Sequence, residues 1–152
     1  MRILMVCLGN ICRSPLAEGI MKSKVAQNGL NWTVDSAGTG GWHSGELPDP
    51  RSRSTARQHG IDISDQRARQ FRPQDFDDFD RIFVMDSQNF RDVIRQARNE
   101  SDSLKVSLML EESHPGENRS VPDPYYDDDG FEQVYQMLDD ACHAFVERNI
   151  RV

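Results

Sequence analysis

An apolar run at the start of the chain leads directly into a cysteine-containing loop, and this junction constrains the fold more than any other feature. Ile3–Val6 is short, continuous and apolar, as expected of a strand buried on both faces of a parallel sheet. Beyond the loop we predict a helix start, with Ser14 as N-cap, Pro15 at the first helical position and Glu18 near the positive helix end. The loop therefore joins the carboxyl end of a central strand to a helix N-terminus.

The loop residues between that strand and that helix suit an anion. Backbone N–H groups converge at such a helix start, and Gly9 gives the chain conformations that are closed to other residues. Arg13 adds a guanidinium fork that matches two phosphate oxygens. The same positive field favours the thiolate form of Cys7, which is the nucleophilic form. We predict a phosphate site with a nucleophilic cysteine; the alternative is a buried structural cysteine.

Five stretches of this chain resemble, in order, the low-molecular-weight protein tyrosine phosphatases. They are the run from Val6 to Pro15, residues 35–39, 68–70 and 84–86, and the run from Asp123 to Tyr126. The resemblance implies that Cys7 attacks phosphorus and forms a phosphocysteine, while Arg13 stabilises the transition state. It makes Asp123 the general acid, and later the base that activates water.

The resemblance also implies a phosphate-binding set and the residues that support it. The phosphate would contact Leu8, Gly9, Asn10, Ile11, Cys12, Arg13 and Ser14. Ser14 would also lend its hydroxyl to the nucleophile, while Asn10 and Ser36 would fix the shape of the loop. Asparagine tolerates the left-handed backbone that a tight loop demands.

Further implied residues surround the substrate or protect the nucleophile. The substrate walls would be Leu8, Ile11, Trp42, Tyr125 and Tyr126, and aromatic walls favour an aryl phosphate. Ile11 stands where the phosphoarginine phosphatases of the family carry threonine, which indicates phosphotyrosine. Cys12 would trap an oxidised Cys7 as a disulfide, or it simply fills space. Gln66 departs from the histidine that many relatives use to support the loop.

Apolar runs alternate with helical patterns along the rest of the chain. The runs are Ile3–Val6, Trp32–Val34, Arg81–Met85 and Val106–Leu110, and an apolar stripe from Phe131 to Val146 predicts a long last helix. Residues 1–152 are therefore expected to form a single domain. We predict the α/β class: a three-layer α/β/α sandwich with a four-stranded parallel sheet and the phosphate loop at the carboxyl end of strand 1.

The charge and composition of the chain exclude several classes of binding partner. A net charge of −7 argues against nucleic acid, which prefers a basic surface. No apolar run reaches membrane-spanning length and no leader opens the chain, so a cytoplasmic protein without a membrane partner is expected. No paired metal-ligand spacing occurs, so neither metal nor cofactor is expected. The expected partners are phosphotyrosine proteins and inorganic phosphate, as product and inhibitor, and the chain is expected to be a monomer with at most weak self-association.

Other functions use the same residues differently. An arsenate reductase would need further cysteines in mid-chain, and none occurs between Cys12 and Cys142. A nucleotide-binding ATPase would need Gly-Lys followed by Ser or Thr, which is absent. An inactive phosphotyrosine-binding module stays as an alternative, to be separated by assaying phosphate release.

Overall fold

The computed structural model describes residues 1–150 of the 152-residue chain. The strands are β1 (Arg2–Cys7), β2 (Thr33–Gly38), β3 (Arg81–Val84) and β4 (Val106–Leu108). The helices are α1 (Arg13–Gln27), α2 (Pro50–Gln58), α3 (Asp75–Asp78), α4 (Ser87–Ile94), α5 (Glu100–Leu104) and α6 (Gly130–Ile150). Within the described residues, no helix is long and apolar enough to cross a membrane.

The four strands form one parallel sheet in the order β2-β1-β3-β4. Alternate residues of β1 enter two separate cores, as the period of a strand requires. Ile3 and Met5 pack with the buried faces of α1 and α6, whereas Leu4 and Val6 pack with the residues of α3 and α4. The sheet therefore lies between two helical layers, which confirms the predicted three-layer sandwich.

β1 and β3 match their predicted bounds to within one residue at each end, whereas β2 and β4 differ by more. β2 extends to Gly38, well past the predicted end, because the buried polar Ser36 finds hydrogen-bond partners inside the protein. β4 ends at Leu108, and Met109–Glu111 form a 3₁₀ turn. The apolar Met109 and Leu110 extended the predicted strand because they are buried in the core beside α6 rather than in the sheet.

The last helix follows its sequence pattern closely. All apolar positions of the predicted stripe are buried: Phe131, Val134, Tyr135, Leu138, Ala141, Cys142, Phe145 and Val146. The stripe covers the α1 side of the sheet. This packing holds α1, and hence the loop before it, against the carboxyl end of β1.

Candidate active site

The phosphate loop, residues 7–14, runs from the end of β1 into the first turn of α1. α1 begins at Arg13, two residues earlier than predicted, and no side chain caps it. The prediction that Ser14 is the N-cap was wrong, because its hydroxyl lies 3.0 Å from the Cys7 Sγ and accepts a hydrogen bond from Asn10 instead. An uncapped first turn leaves backbone N–H groups for an anion.

Asn10 organises the loop from behind. Its backbone is left-handed, with φ of 58°, as predicted. Its side-chain amide donates to Ser14 Oγ at 2.8 Å and to Ser36 Oγ at 2.9 Å, and its Oδ1 accepts from the Arg69 backbone N–H at 3.1 Å. Both N–H donors and the carbonyl oxygen of this side chain are therefore engaged, which fixes the loop in one shape.

Glu18 extends this network into the protein. Ser36 Oγ donates to Glu18 Oε1 at 2.6 Å, and Lys22 reaches the other oxygen. Burial raises the pKa of Glu18 above its usual value of 4.5, against the opposing hydrogen bonds from Lys22 and Ser36. The prediction that Glu18 serves the positive helix end was wrong, since it supports the loop one turn further into α1.

Glycines let the loop pack closely, although not as predicted. Gly9 is not among the residues with positive φ. A Cβ at Gly9 would instead come within 3.1 Å of the His43 ring. Gly38, at the end of β2, is tighter still: a Cβ there would lie 2.7 Å from the Leu8 carbonyl oxygen. Both glycines therefore lie at a close approach rather than at an unusual backbone angle, Gly9 against the His43 side chain and Gly38 against the loop backbone.

Arg13 is buried below the loop and held by acceptors from two other segments. One guanidinium nitrogen donates to Asp86 Oδ2 at 2.7 Å and to the Val121 carbonyl at 3.0 Å. A second nitrogen lies 3.7 Å from Asp123 Oδ2. Burial alone would lower the pKa of Arg13, but the facing charges of Cys7, Asp86 and Asp123 raise it overall. Arg13 therefore stays cationic, and it lines the same pocket as Cys7.

Asp123 lies on an exposed loop, residues 122–129, which we call the Asp123 loop. Its Oδ1 accepts from the Tyr125 backbone N–H at 3.0 Å, so the carboxylate orients the turn that follows it. The loop starts beside Val121, whose N–H donates to the Met85 carbonyl. This start places Asp123 opposite the phosphate loop.

A cleft of about 260 Å³ lies between the two loops. Its lining includes the predicted nucleophile, clamp and acid: Cys7, Arg13 and Asp123. It also includes all the predicted walls: Leu8, Ile11, Trp42, Tyr125 and Tyr126. Asn10 and Ser14 are absent from this lining, so their side chains support the loop from behind.

Cys12 is buried and lines the same cleft. Burial, together with the negative charge of Asp49, raises the pKa of its thiol to about 12. Both Cys7 and Cys12 are free thiols. A redox role for the pair stays a prediction.

Gln66 does not join the Asn10 network. Its Nε2 donates to the Pro15 carbonyl in the first turn of α1, at 3.0 Å. The family resemblance implied loop support at position 66. In this protein the Ser36 hydroxyl and Glu18 provide that support instead.

Sequence reasoning missed three residues that shape the site: Glu18, Asp86 and Arg51. Asp86 was part of a matched stretch without a role, yet it holds Arg13 and caps α4. An aspartate just after a buried strand and just before a helix was the available signal. Arg51, in α2, contacts the Asp123 loop, a contact that no local pattern indicates.

The model of one family matches residues 2–151, and its description reads "Low molecular weight phosphotyrosine protein phosphatase". The human protein of that name is 43% identical over 150 residues, which cover 96% of this chain and 94% of the relative. A solved Entamoeba histolytica protein tyrosine phosphatase is 35% identical with a TM-score of 0.92, covering 99% of this chain and 97% of its own. A Drosophila arginine phosphatase is 34% identical with a TM-score of 0.91, covering 98% of both chains.

Proposed function

Because the chain belongs to the low molecular weight phosphotyrosine protein phosphatase family, we propose a mechanism by which its own residues hydrolyse phosphotyrosine. One observation carries the proposal: Cys7 and Arg13 from the phosphate loop and Asp123 from the Asp123 loop line a single cleft. A nucleophile, a cationic clamp and an exposed carboxylic acid are what transfer of a phosphoryl group to sulfur requires.

The first step forms a phosphoenzyme. The Cys7 thiolate attacks phosphorus, a sulfur–phosphorus bond forms, and the bond from phosphorus to the tyrosine oxygen breaks. Ser14 Oγ, 3.0 Å from the sulfur, donates to the thiolate and keeps it ready. Arg13 and the loop N–H groups bind the equatorial phosphoryl oxygens, where charge collects in the transition state.

Asp123 supplies the proton that the leaving group needs. A tyrosine phenolate is a strong base, with a conjugate acid of pKa about 10, so protonation during departure lowers the barrier. Protonated Asp123 gives its proton to that oxygen, and the tyrosine leaves as a neutral phenol.

The second step restores the enzyme. Asp123, now a carboxylate, takes a proton from a water molecule as that water attacks phosphorus. The sulfur–phosphorus bond breaks, Cys7 leaves as a thiolate, and inorganic phosphate forms. The product fits the same loop that bound the substrate, so inorganic phosphate is expected to inhibit competitively.

The walls of the cleft support an aryl substrate. Trp42 and Tyr126 are 72% and 94% exposed, so they can close around a ring that enters between them. Large aromatic faces gain more from a phenyl group than from the short alkyl chain of phosphoserine. With Ile11 in the lining, we propose phosphotyrosine rather than phosphoarginine as the substrate class.

Hydrolysis of a phosphotyrosine peptide by the wild type, Cys7→Ser and Asp123→Ala tests the proposal. Phosphoserine and phosphoarginine peptides and arsenate are assayed in parallel, and His143→Gln, an exposed change on α6, serves as control. We expect phosphotyrosine turnover that Cys7→Ser abolishes and Asp123→Ala strongly reduces. Turnover that survives Cys7→Ser, reduction of arsenate, or binding without phosphate release would each contradict it.

A further inference from the structure

The Arg51 side chain joins α2 to the Asp123 loop. One guanidinium nitrogen contacts Asp128 Oδ1 at 2.5 Å, while Nε and the second terminal nitrogen contact the two oxygens of Asp49 at 3.0 and 2.9 Å. Only a guanidinium can grip two carboxylates from different segments in this way. An isolated surface ion pair contributes little, but this arginine bridges two parts of the chain.

The base of this bridge is fixed to the phosphate loop. The Asp49 backbone N–H donates to the Ile11 carbonyl at 2.8 Å, and Ser52 Oγ donates to the Cys12 carbonyl at 3.2 Å. Asp49 is also the N-cap of α2. The start of α2 is therefore attached to the phosphate loop, and Arg51 extends from it to the other side of the cleft.

Arg51 also touches the rings beside the acid. Its guanidinium carbon lies 5.5 Å from the centre of the Tyr125 ring and 4.7 Å from that of Phe131, at the start of α6. Both distances suit cation–π attraction. Because the Tyr125 N–H donates to Asp123 Oδ1, a contact that restrains Tyr125 also restrains the Asp123 carboxylate.

Few other side chains secure this loop. Within residues 1–150, the polar side-chain contacts to residues 122–129 from the rest of the protein come from two arginines, Arg13 and Arg51. Arg13 is committed to the phosphate in the mechanism above. Arg51 is therefore the arginine free to hold the loop while substrate is bound.

We propose that Arg51 is a positioning residue that holds the Asp123 loop across the cleft, so that Asp123 reaches the leaving-group oxygen. This inference rests on the proposed function, because it gives Arg51 a role only if Asp123 is the acid. Its distinguishing consequence is chemical: loss of Arg51 should harm substrates that need the proton and spare those that do not.

The test compares kcat/KM for two substrates that share a phosphoryl group. The leaving group of phenyl phosphate is a strongly basic phenolate that needs the proton of Asp123. The leaving group of 2,4-dinitrophenyl phosphate is a weakly basic phenolate that does not need it. For Arg51→Gln we expect about a tenfold fall with phenyl phosphate and less than about a twofold fall with the dinitrophenyl ester, as for a displaced catalytic group. Arg51→Lys keeps the charge without the fork and should fall between Arg51→Gln and the wild type.

Two further variants keep the result interpretable. Arg57→Gln, on the exposed face of the same helix, removes the same charge and should leave both substrates unchanged. Asp128→Asn removes the partner in the Asp123 loop and should show the same selectivity as Arg51→Gln with a smaller effect. An equal fall with both substrates, or no fall in either variant, would overturn the proposal.

Asp123→Asn separates this proposal from the mechanism on which it rests. If Asp123→Asn is selectively slow with phenyl phosphate while Arg51→Gln is not, only the role of Arg51 fails. If Asp123→Asn slows both substrates equally, Asp123 is not the acid and the proposed mechanism itself fails.

Discussion

The two loops that face each other across the cleft are built in opposite ways. In the phosphate loop the key side chains are buried: Asn10, Arg13 and Ser14 are each at most 3% exposed. The Asp123 loop is open, with the Asp123 side chain 43% exposed and Tyr126 almost fully exposed. Side chains from several segments fix the first loop, and two arginines hold the second.

This difference matches the role that we propose for each loop. Charge that develops on phosphoryl oxygens is best stabilised by donors that are already in place, because reorganising them would cost energy during the reaction. The acid, by contrast, must let a ring enter, meet its oxygen and later admit water. In the proposed mechanism, phosphate binding therefore requires a rigid phosphate loop, and proton transfer requires an accessible Asp123 loop.

The largest expected loss follows from changing the clamp. Arg13→Lys keeps a positive charge but loses the planar fork, whose two terminal nitrogens face Asp86 and Asp123. We expect kcat/KM for phosphotyrosine peptide to fall by about 10³-fold, as when a phosphate-stabilising arginine is lost. Arg57→Lys on the exposed face of α2 is the matched control. A fall of less than tenfold would mean that the loop N–H groups bind the phosphoryl group without Arg13.

Removing the acid should cost less than removing the clamp. Asp123→Asn keeps the shape and the hydrogen bond from the Tyr125 N–H but cannot supply a proton. We expect a fall in kcat/KM of about 10²-fold with phosphotyrosine peptide, within the usual range for general acids. Circular dichroism should show an unchanged fold and an unchanged unfolding midpoint, because the side chain is exposed. A lowered midpoint would show that Asp123 also carries stability.

Changes behind the phosphate loop should cost stability as well as activity. Ser36→Ala removes one partner of Asn10 and one of Glu18, and both are buried. Unsatisfied buried polar groups of this kind cost about 1 to 3 kcal/mol each. Because two such groups are affected, we expect urea denaturation to show a loss of about 2 to 6 kcal/mol, whereas Asp128→Asn in the Asp123 loop should leave the urea midpoint unchanged. Equal midpoints for both variants would remove the contrast between the loops.

The smallest expected effect concerns pH. Burial raises the pKa of Glu18 in the folded protein, so the folded state holds this proton at a pH where the unfolded state has lost it. The charged form therefore costs stability as pH rises above the unfolded pKa. Glu18→Gln keeps an acceptor for Ser36 without the charge.

We accordingly expect the free energy of unfolding of Glu18→Gln, relative to the wild type, to be higher at pH 7 than at pH 4. Urea denaturation at both values checks this. A relative stability that falls between pH 4 and pH 7 would show that the hydrogen bonds to Lys22 and Ser36 outweigh burial.

The sequence predicted the position of the phosphate loop between β1 and α1 because the pattern that indicates it is local. The strand, the cysteine, the arginine and the helix start follow one another along the chain. The layers around them were predicted from apolar runs that alternate with helical patterns and from the apolar stripe of α6. Asp123 lies far along the chain, and only the family resemblance identified it. Predicting a role for the Asp123 loop therefore needed information beyond composition and spacing.

Three of the errors share one physical cause. Ser14 was expected to cap α1, Glu18 to serve the helix end, and β2 to stop before its polar residues. In each case tertiary hydrogen bonds outweigh the local preference, since Ser14 turns to Cys7 and Glu18 meets Ser36. Arg51 and Asp128, 77 residues apart in the chain, meet only once the fold has formed.

Trapping the phosphoenzyme tests the central claim most directly. Asp123→Ala, which lacks the base for the second step, is mixed with para-nitrophenyl phosphate, quenched within milliseconds to seconds, digested and analysed by mass spectrometry. We predict one phosphoryl group on the peptide that carries Cys7 and none when Cys7 is replaced by serine. Release of nitrophenol with no phosphoryl group on Cys7 at any time would contradict the account.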